Sequence, residues 1–286
     1  MKKYTFFLVI IVIISGACKQ RSPEIVITPD SEKNHLQING LKGKVQTLLS
    51  ELYAVEERAG EDSTYRSEIK ISGSIQHYSP DGYLLQVFTL NDTDDTVSIR
   101  KISYRQDAKQ DYWTEEDATG AITASCKYEY DMNGQLAEEK RYVGDSLILS
   151  IHYRNDAEGN VIAMTQDFGT YRLRNTMQYN QDGLLERVDE YDPNDKRFKY
   201  ITFEYDNYGD LVNRRVYRNS NTIIEYSYTE YDQKGRIMKV LFEDRIKNIR
   251  ESSEYSGHDA SGNWTSEIRK IGDKEIYVRK RQLIYY

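Results

Sequence analysis

Proline is nearly missing from this chain, with four in 286 residues. A collagen-like or Pro-rich protein is thereby excluded. Cysteine is scarcer still: Cys18 and Cys126 are the only two, so no framework of several disulfides can hold the fold. Apolar residues make up 38% against 30% charged, and the longest unbroken apolar run, Phe6 to Ile14, is nine residues. A helix needs about 20 apolar residues to cross hydrocarbon, which excludes a polytopic helical membrane protein. The four histidines are scattered, and no HExxH, GxSxG or P-loop spacing occurs. A formal charge of −7 without a basic stripe leaves no means of neutralising phosphates, so no nucleic-acid partner is expected.

What the chain has in excess is tyrosine: 25, against 7 Phe and 2 Trp. Disordered chains are poor in aromatics, so a folded domain is expected. Aligning the sequence on glycine shows how it is organised. Tyr130-Asp131-Met132-Asn133-Gly134-Gln135-Leu136 recurs as Tyr205–Leu211 and as Tyr231–Ile237, with looser copies at Tyr78–Leu84, Asn155–Val161, Tyr179–Leu185 and His258–Trp264. The glycines stand at 82, 134, 159, 183, 209, 235 and 262, and the one double-length gap contains a degenerate copy, Tyr104-Arg105-Gln106-Asp107-Ala108. Eight units of about 26 residues result, a period that marks a repeat architecture.

Each unit reads as two strands and two turns. Asp at the first turn position caps the backbone two residues on, and Gly at the fourth takes positive φ to close a hairpin. A second turn falls mid-unit, at Gly144-Asp145, Asp192-Pro193-Asn194-Asp195, Arg218–Asn221 and Gly272-Asp273. The pattern predicts an all-β fold: an elongated, twisted antiparallel meander of about eight β-hairpin repeats. The alternative is a small β-propeller, with two units per blade. Alternation along the strands is poor, as in Glu138-Glu139-Lys140-Arg141, which predicts a sheet wetted on both sides. It also argues against a barrel in an outer membrane, where a lipid-facing apolar band is needed.

The Tyr-Asp-x-x-Gly-x-Leu pattern resembles YD repeats of the RHS type, over roughly residues 65–286. The resemblance implies ribbons of β-hairpins that curl into spirals or shells, in a family with sugar-binding and toxin-encapsulating members. The N-terminus resembles a bacterial lipoprotein leader. Met1-Lys2-Lys3, the nine-residue apolar run and Ser15-Gly16-Ala17 precede Cys18, as in a lipobox whose Cys is acylated. Residues 1–17 are then the signal peptide, 18–40 a lipid-anchored tether, and 41–286 the repeat domain. No acidic residue follows in Lys19-Gln20-Arg21-Ser22, which favours an outer-membrane anchor facing the periplasm.

Candidate chemistry is thin. The carboxylates of Glu115-Glu116-Asp117, Glu138-Glu139 and Asp189-Glu190 read as solvated surface, because strand neighbours point to opposite faces. Asn91–Thr96 reads as a hairpin turn rather than a calcium loop, and His258 takes the Tyr slot as a turn-packing residue. Cys126 reads as a buried, inert thiol. The recurrent Tyr could pack the turns or present a ligand surface; the packing reading moves the ligand surface to the least regular stretch, 108–120, and to Tyr112 and Trp113. No catalytic residue, metal or cofactor is expected. The function expected is that of a non-enzymatic cell-envelope lipoprotein, held to the membrane by its lipid, whose β-repeat surface binds a glycan or a protein. The alternatives are an assembly component whose sheet edges pair with other chains, and a hydrolase. The lipobox reading predicts that labelled palmitate enters the wild-type chain and is lost in Cys18→Ala; label retained by that variant would refute it.

Overall fold

The computed structural model describes residues 35–59 and 64–286. The leader, Cys18 and the first part of the tether lie outside the described residues. A four-residue helix, α1 (His35–Ile38), precedes eighteen strands. The first two, β1 (Val45–Ala59) and β2 (Thr64–Tyr78), are 15 residues each. They are followed by β3 (Leu84–Leu90), β4 (Thr96–Tyr104), β5 (Gln110–Asp117), β6 (Ile122–Tyr130), β7 (Leu136–Val143) and β8 (Ser146–Asn155). Next come β9 (Val161–Asp167), β10 (Arg172–Tyr179), β11 (Leu185–Tyr191), β12 (Arg197–Tyr205) and β13 (Leu211–Arg218). The chain ends with β14 (Ile223–Tyr231), β15 (Ile237–Asp244), β16 (Ile249–Ser256), β17 (Ser266–Ile271) and β18 (Lys274–Tyr285).

Every strand pairs antiparallel with its sequence neighbours, and β18 returns to pair with β1, from Val45↔Tyr285 to Ala54↔Tyr277. The sheet is therefore a closed 18-stranded barrel, not the expected open meander, and not a propeller. The physical reason lies in the ends of the sheet. Twisted sheets this wide coil, and β1 is long enough to pair with β2 on one side and β18 on the other. Closure satisfies the N–H and C=O groups that an open edge would expose. It also removes the free edges on which an edge-pairing assembly role would depend.

The turns follow the sequence reading closely. Gly82, Gly134, Gly159, Gly183, Gly209, Gly235 and Gly262 all have positive φ, between 67° and 88°. In six of these turns the Asp or Asn accepts two backbone N–H bonds, as when Asp131 Oδ1 takes those of Asn133 (2.9 Å) and Gln135 (2.8 Å), and Asp206 Oδ1 those of Tyr208 (2.8 Å) and Asp210 (2.9 Å); in the Gly82 turn Ser79 Oγ accepts from Tyr83 N–H (3.1 Å). Asn91 likewise accepts the backbone N–H bonds of Thr93 and Asp95, so that segment is a capped hairpin turn. In the degenerate unit Ala108 is held at φ 63°.

Following the register around the ring sorts the side chains onto two faces. Cys126, Glu139, Ile151, Met164, Val188 and Val216, all under 3% exposed, fall on one face. This is the face that lines the barrel. An apolar cluster of Ile151, Met164, Met177, Leu185, Val188, Ile201 and Val216 covers it from β8 to β13. The expectation of a sheet wetted on much of both sides is thus corrected from β8 to β13, where the inner face is buried, and charged residues such as Glu139 and Glu190 are buried with it.

The outer face is a lattice of ion pairs. It runs from Lys70–Glu51 (2.5 Å) and Lys280–Glu68 (2.7 Å) through Lys101–Glu116 (2.7 Å) and Lys140–Glu129 (2.9 Å). It continues through Arg187–Asp189 (2.7 Å), Arg215–Glu204 and Lys270–Glu254 (2.9 Å). These pairs recur around the circumference among the described residues.

At the end of the barrel bearing the Tyr-Asp-x-x-Gly turns, α1 docks. Leu36 and Leu41 join Val45, Leu48 and Tyr78 in a second buried cluster, and Leu36 N–H donates to Gly82 O at 3.1 Å. Within residues 35–40, read from sequence as the end of the tether, Leu36 and Ile38 are buried against the domain.

The turn geometry generates a paired prediction. Ala108→Gly should stabilise by about 0.5–1 kcal/mol, because an L side chain at positive φ is strained. Gly209→Val should destabilise by about 1 kcal/mol or more. Urea midpoints at unchanged slope check both, and a loss of stability in Ala108→Gly would contradict the turn assignment.

Candidate functional site

The tyrosines that open each turn form a ladder on the inner face. Each hydroxyl reaches back to the residue two positions past the glycine of the preceding turn, or past Ala108 in the degenerate unit. Tyr104 donates to Leu84 O (2.6 Å), Tyr130 to Gln110 O (2.7 Å) and Tyr179 to Val161 O (2.9 Å). Tyr205 donates to Leu185 O (2.9 Å) and Tyr231 to Leu211 O (3.1 Å). The two units that lack Tyr keep the bond by other means: Asn155 Nδ2 donates to Leu136 O (2.9 Å), and His258 Nε2 lies 3.1 Å from Ile237 O. Burial raises the pKa of Tyr104, Tyr205 and Tyr231 and pushes Tyr78 and Tyr130 up to about 12. The ladder rings are therefore packing elements with satisfied hydroxyls rather than a free ligand surface.

The ladder changes where the ring closes. Tyr285 donates instead to Asp259 Oδ2 and accepts from Asn263 Nδ2 (2.8 Å). Tyr78 donates to Gln76 Oε1 (2.6 Å) and accepts from Asn39 Nδ2 (3.1 Å). Beside it, His35 Nδ1 meets the Tyr104 hydroxyl at 3.2 Å, and burial pushes the imidazole pKa down to about 4.

Tyr112 and Trp113, the sequence-level candidates, are adjacent strand residues and point to opposite sides. Tyr112 is exposed on the outer face, opposite Ser103 and Lys127. Trp113 lies on the inner face, opposite Ile102 and Cys126, with the Arg100 guanidinium 4.3 Å over its ring. The two do not form one patch.

Sequence reasoning missed the buried charges, since it read these carboxylates as solvated. Glu138 does face outward, bonded to Ser150 Oγ (2.8 Å) and Lys140. Glu139 faces inward at 2% exposure. It accepts from Arg141 Nε (2.5 Å) and the Tyr153 hydroxyl (3.0 Å), with Cys126 Sγ 3.6 Å away. Burial, and then the charge of Glu139, push the Cys126 thiol up to about 12, which leaves it protonated and unreactive. Further around the ring, Glu190 is buried beside Lys199 at 2.9 Å, and its pKa is raised by burial. Glu267 accepts from Ser253 Oγ at 2.8 Å. The period-2 rule signalled that Glu138 and Glu139 must separate; no local signal said which one is inside. Among the described residues no group of His, Cys, Asp or Glu has the geometry to hold a metal ion.

No family model matches this chain, and no curated protein does. Among solved structures, it is similar to a porin-like protein from Bacteroides uniformis, with 11% identity, 85% of this chain and 98% of that one covered, and a TM-score of 0.46. A porin-like protein from Bacteroides vulgatus gives 10% identity, coverage of 82% and 97%, and a TM-score of 0.33. The Photorhabdus luminescens Tc holotoxin pore gives 12% identity and a TM-score of 0.35, over 85% of this chain and 17% of the toxin chain.

Loss of one ladder hydroxyl tests the packing assignment. Tyr205→Phe should cost about 1–3 kcal/mol by leaving Leu185 O unpaired, and Tyr205→Ala about 3–5 kcal/mol. Tyr208→Ala, at a turn residue 84% exposed, should leave the unfolding midpoint unchanged. Equal effects at Tyr205 and Tyr208 would contradict the ladder.

Proposed function

We propose that this protein is a lipid-anchored cell-envelope protein whose barrel stands in water beside the membrane and serves as a non-enzymatic binding body for a glycan or a protein. The observation that carries the reading is the charged outer face. A Lys or Arg on the lipid side of a barrel costs about 2–4 kcal/mol near the bilayer midplane, and here such residues recur around the ring. A barrel of this kind reaches a membrane through an anchor, and the Ser15-Gly16-Ala17-Cys18 motif supplies one, facing the periplasm from the outer membrane.

The YD-like repeat pattern supports the binding reading, because that family includes sugar-binding members. A reaction is disfavoured by the buried carboxylates Glu139, Glu190 and Glu267, which are engaged by Arg141, Lys199 and Ser253. The outer face around Tyr112 is the part of the 108–120 stretch open to a partner; Trp113 supports it from the inside.

Membrane fractionation tests the anchor against embedding. Wild-type protein should stay with envelope membranes through an alkaline carbonate wash. Folded Cys18→Ala should appear in the soluble fraction, and its persistence in the washed membranes would contradict the reading. With the soluble variant as bait on glycan arrays and envelope extract, Tyr112→Ala should reduce capture at unchanged stability. Full capture by that variant would remove the Tyr112 face.

A further inference from the structure

Where the ring closes, the inner wall gathers three arginines around one buried carboxylate. Arg269 on β17 and Arg279 and Arg281 on β18 share the inner face with Glu267, in register with Ser253 and Tyr255 of β16. One carboxylate serves two of the arginines: Glu267 lies 3.8 Å from Arg269 and 3.3 Å from Arg279. Glu267 is 5% exposed and already accepts from Ser253, with the Tyr255 hydroxyl 3.5 Å away.

Arg281 has no carboxylate at ion-pair distance among the described residues. Its guanidinium lies over the Trp264 ring, 4.0 Å from the centroid, and its Nε is buried without a hydrogen-bond partner. Stacking satisfies the flat face of a guanidinium but not its in-plane N–H donors. Burial depresses the Arg281 pKa to about 10; Arg279 adds to the effect, and Tyr78 and the more distant carboxylates of Asp259 and Glu267 offset it only in part. A buried donor or cation left unmatched is costly, so the missing partner calls for a physical explanation.

The wall is also reachable. Arg269 and Arg279 face inward, yet their side chains remain 42% and 31% exposed, so solvent enters the barrel here. Opposite Arg281 on β1 stands Ser50, and beyond it Ser74 on β2, both small residues.

We propose that this inner wall is a binding site for an oxyanion, the carboxylate or phosphate of a small organic ligand, received by the in-plane donors of Arg281 and Arg279 beside Trp264. A planar oxyanion matches the guanidinium fork and forms short charge-assisted bonds. The inference is independent of the lipid anchor and of the outer face around Tyr112. Either of those readings can fail while this one stands.

Trp264 provides the readout, since Trp113 is the only other tryptophan. In full-length Cys18→Ala protein carrying Trp113→Phe, glucuronate, glucose 6-phosphate and inorganic phosphate are titrated at constant ionic strength, with glucose and chloride as controls. The expected result is a saturable change in Trp264 fluorescence with a Kd of about 1 mM or below, weakening as salt rises, and none with glucose. Glucuronate against the two phosphates separates the carboxylate from the phosphate source. Arg281→Lys keeps the charge but loses the fork, and Arg281→Gln loses both; each should weaken binding by about tenfold or more. Arg250→Gln, on the outer face, should not. Thermal stabilisation of the unaltered Arg281 protein by the same ligands gives a second measurement that needs no folded Arg281 variant. Absence of a saturable signal with all three anions, or equal affinity in Arg281→Lys, would overturn the proposal.

Discussion

The hydrogen bond from the residue opening each turn to the carbonyl two positions past the glycine of the preceding turn, or past Ala108 in the degenerate unit, organises the barrel. It is made seven times in succession, from Tyr104 to His258. Each bond locks one hairpin to the next at a fixed offset, so the register of the whole sheet is set turn by turn. One tyrosine supplies both requirements at its position: a ring that fills the inner face beside the turn, and a hydroxyl that is not left unpaired when the ring is buried. That dual role accounts for a chain rich in Tyr and poor in Phe. It also explains why Asn155 and His258 are tolerated: both can donate to the same carbonyl, and an apolar residue could not.

A barrel closed on itself gives its two faces different solvents, and the strands obey that difference more strictly than their composition suggests. Outside, oppositely charged pairs tile the surface. Singly such pairs contribute only about 0–1 kcal/mol, and repeated around the ring they give the outer face a strongly charged surface. Inside, the apolar cluster from β8 to β13 is flanked by buried polar groups. The Glu139–Arg141–Tyr153 group is internally matched, as a buried polar network must be to rigidify a fold. At the wall around Arg281 a buried donor, Nε, lacks a hydrogen-bond partner, and this wall coincides with the closure, where the regular ladder gives way to Tyr285 and Trp264.

Much of this architecture was legible in the residues. The Asp and Gly of each turn carry their own geometry, so the period, the eight units and the degenerate copy at Ala108 were readable from spacing alone. Closure was not, because pairing between β1 and β18 joins the two ends of the domain and leaves no short-range pattern. Nor was the docking of α1, whose two apolar residues, Leu36 and Ile38, and Leu41 just beyond it look like punctuation in a polar segment. The Tyr112–Trp113 pair shows the limit most clearly. Irregular sequence marked the place, but the alternation of a strand sends one ring outward and the other into the barrel. The inner carboxylates stayed hidden for a related reason: Glu190 meets Lys199 and Glu267 meets Arg279 on the next strand, partners that periodicity cannot see.

Closure can be tested covalently. Leu49 on β1 and Gln282 on β18 stand directly opposite each other on the outer face. In a background lacking Cys18 and Cys126, Leu49→Cys and Gln282→Cys should form an intrachain disulfide on mild oxidation, with the unfolding transition retained or raised, since opposed strand positions have Cβ atoms about 4.5–5.5 Å apart. A folded double variant in which both thiols remain open to alkylation, and form no intrachain bond, would show that the sheet does not close.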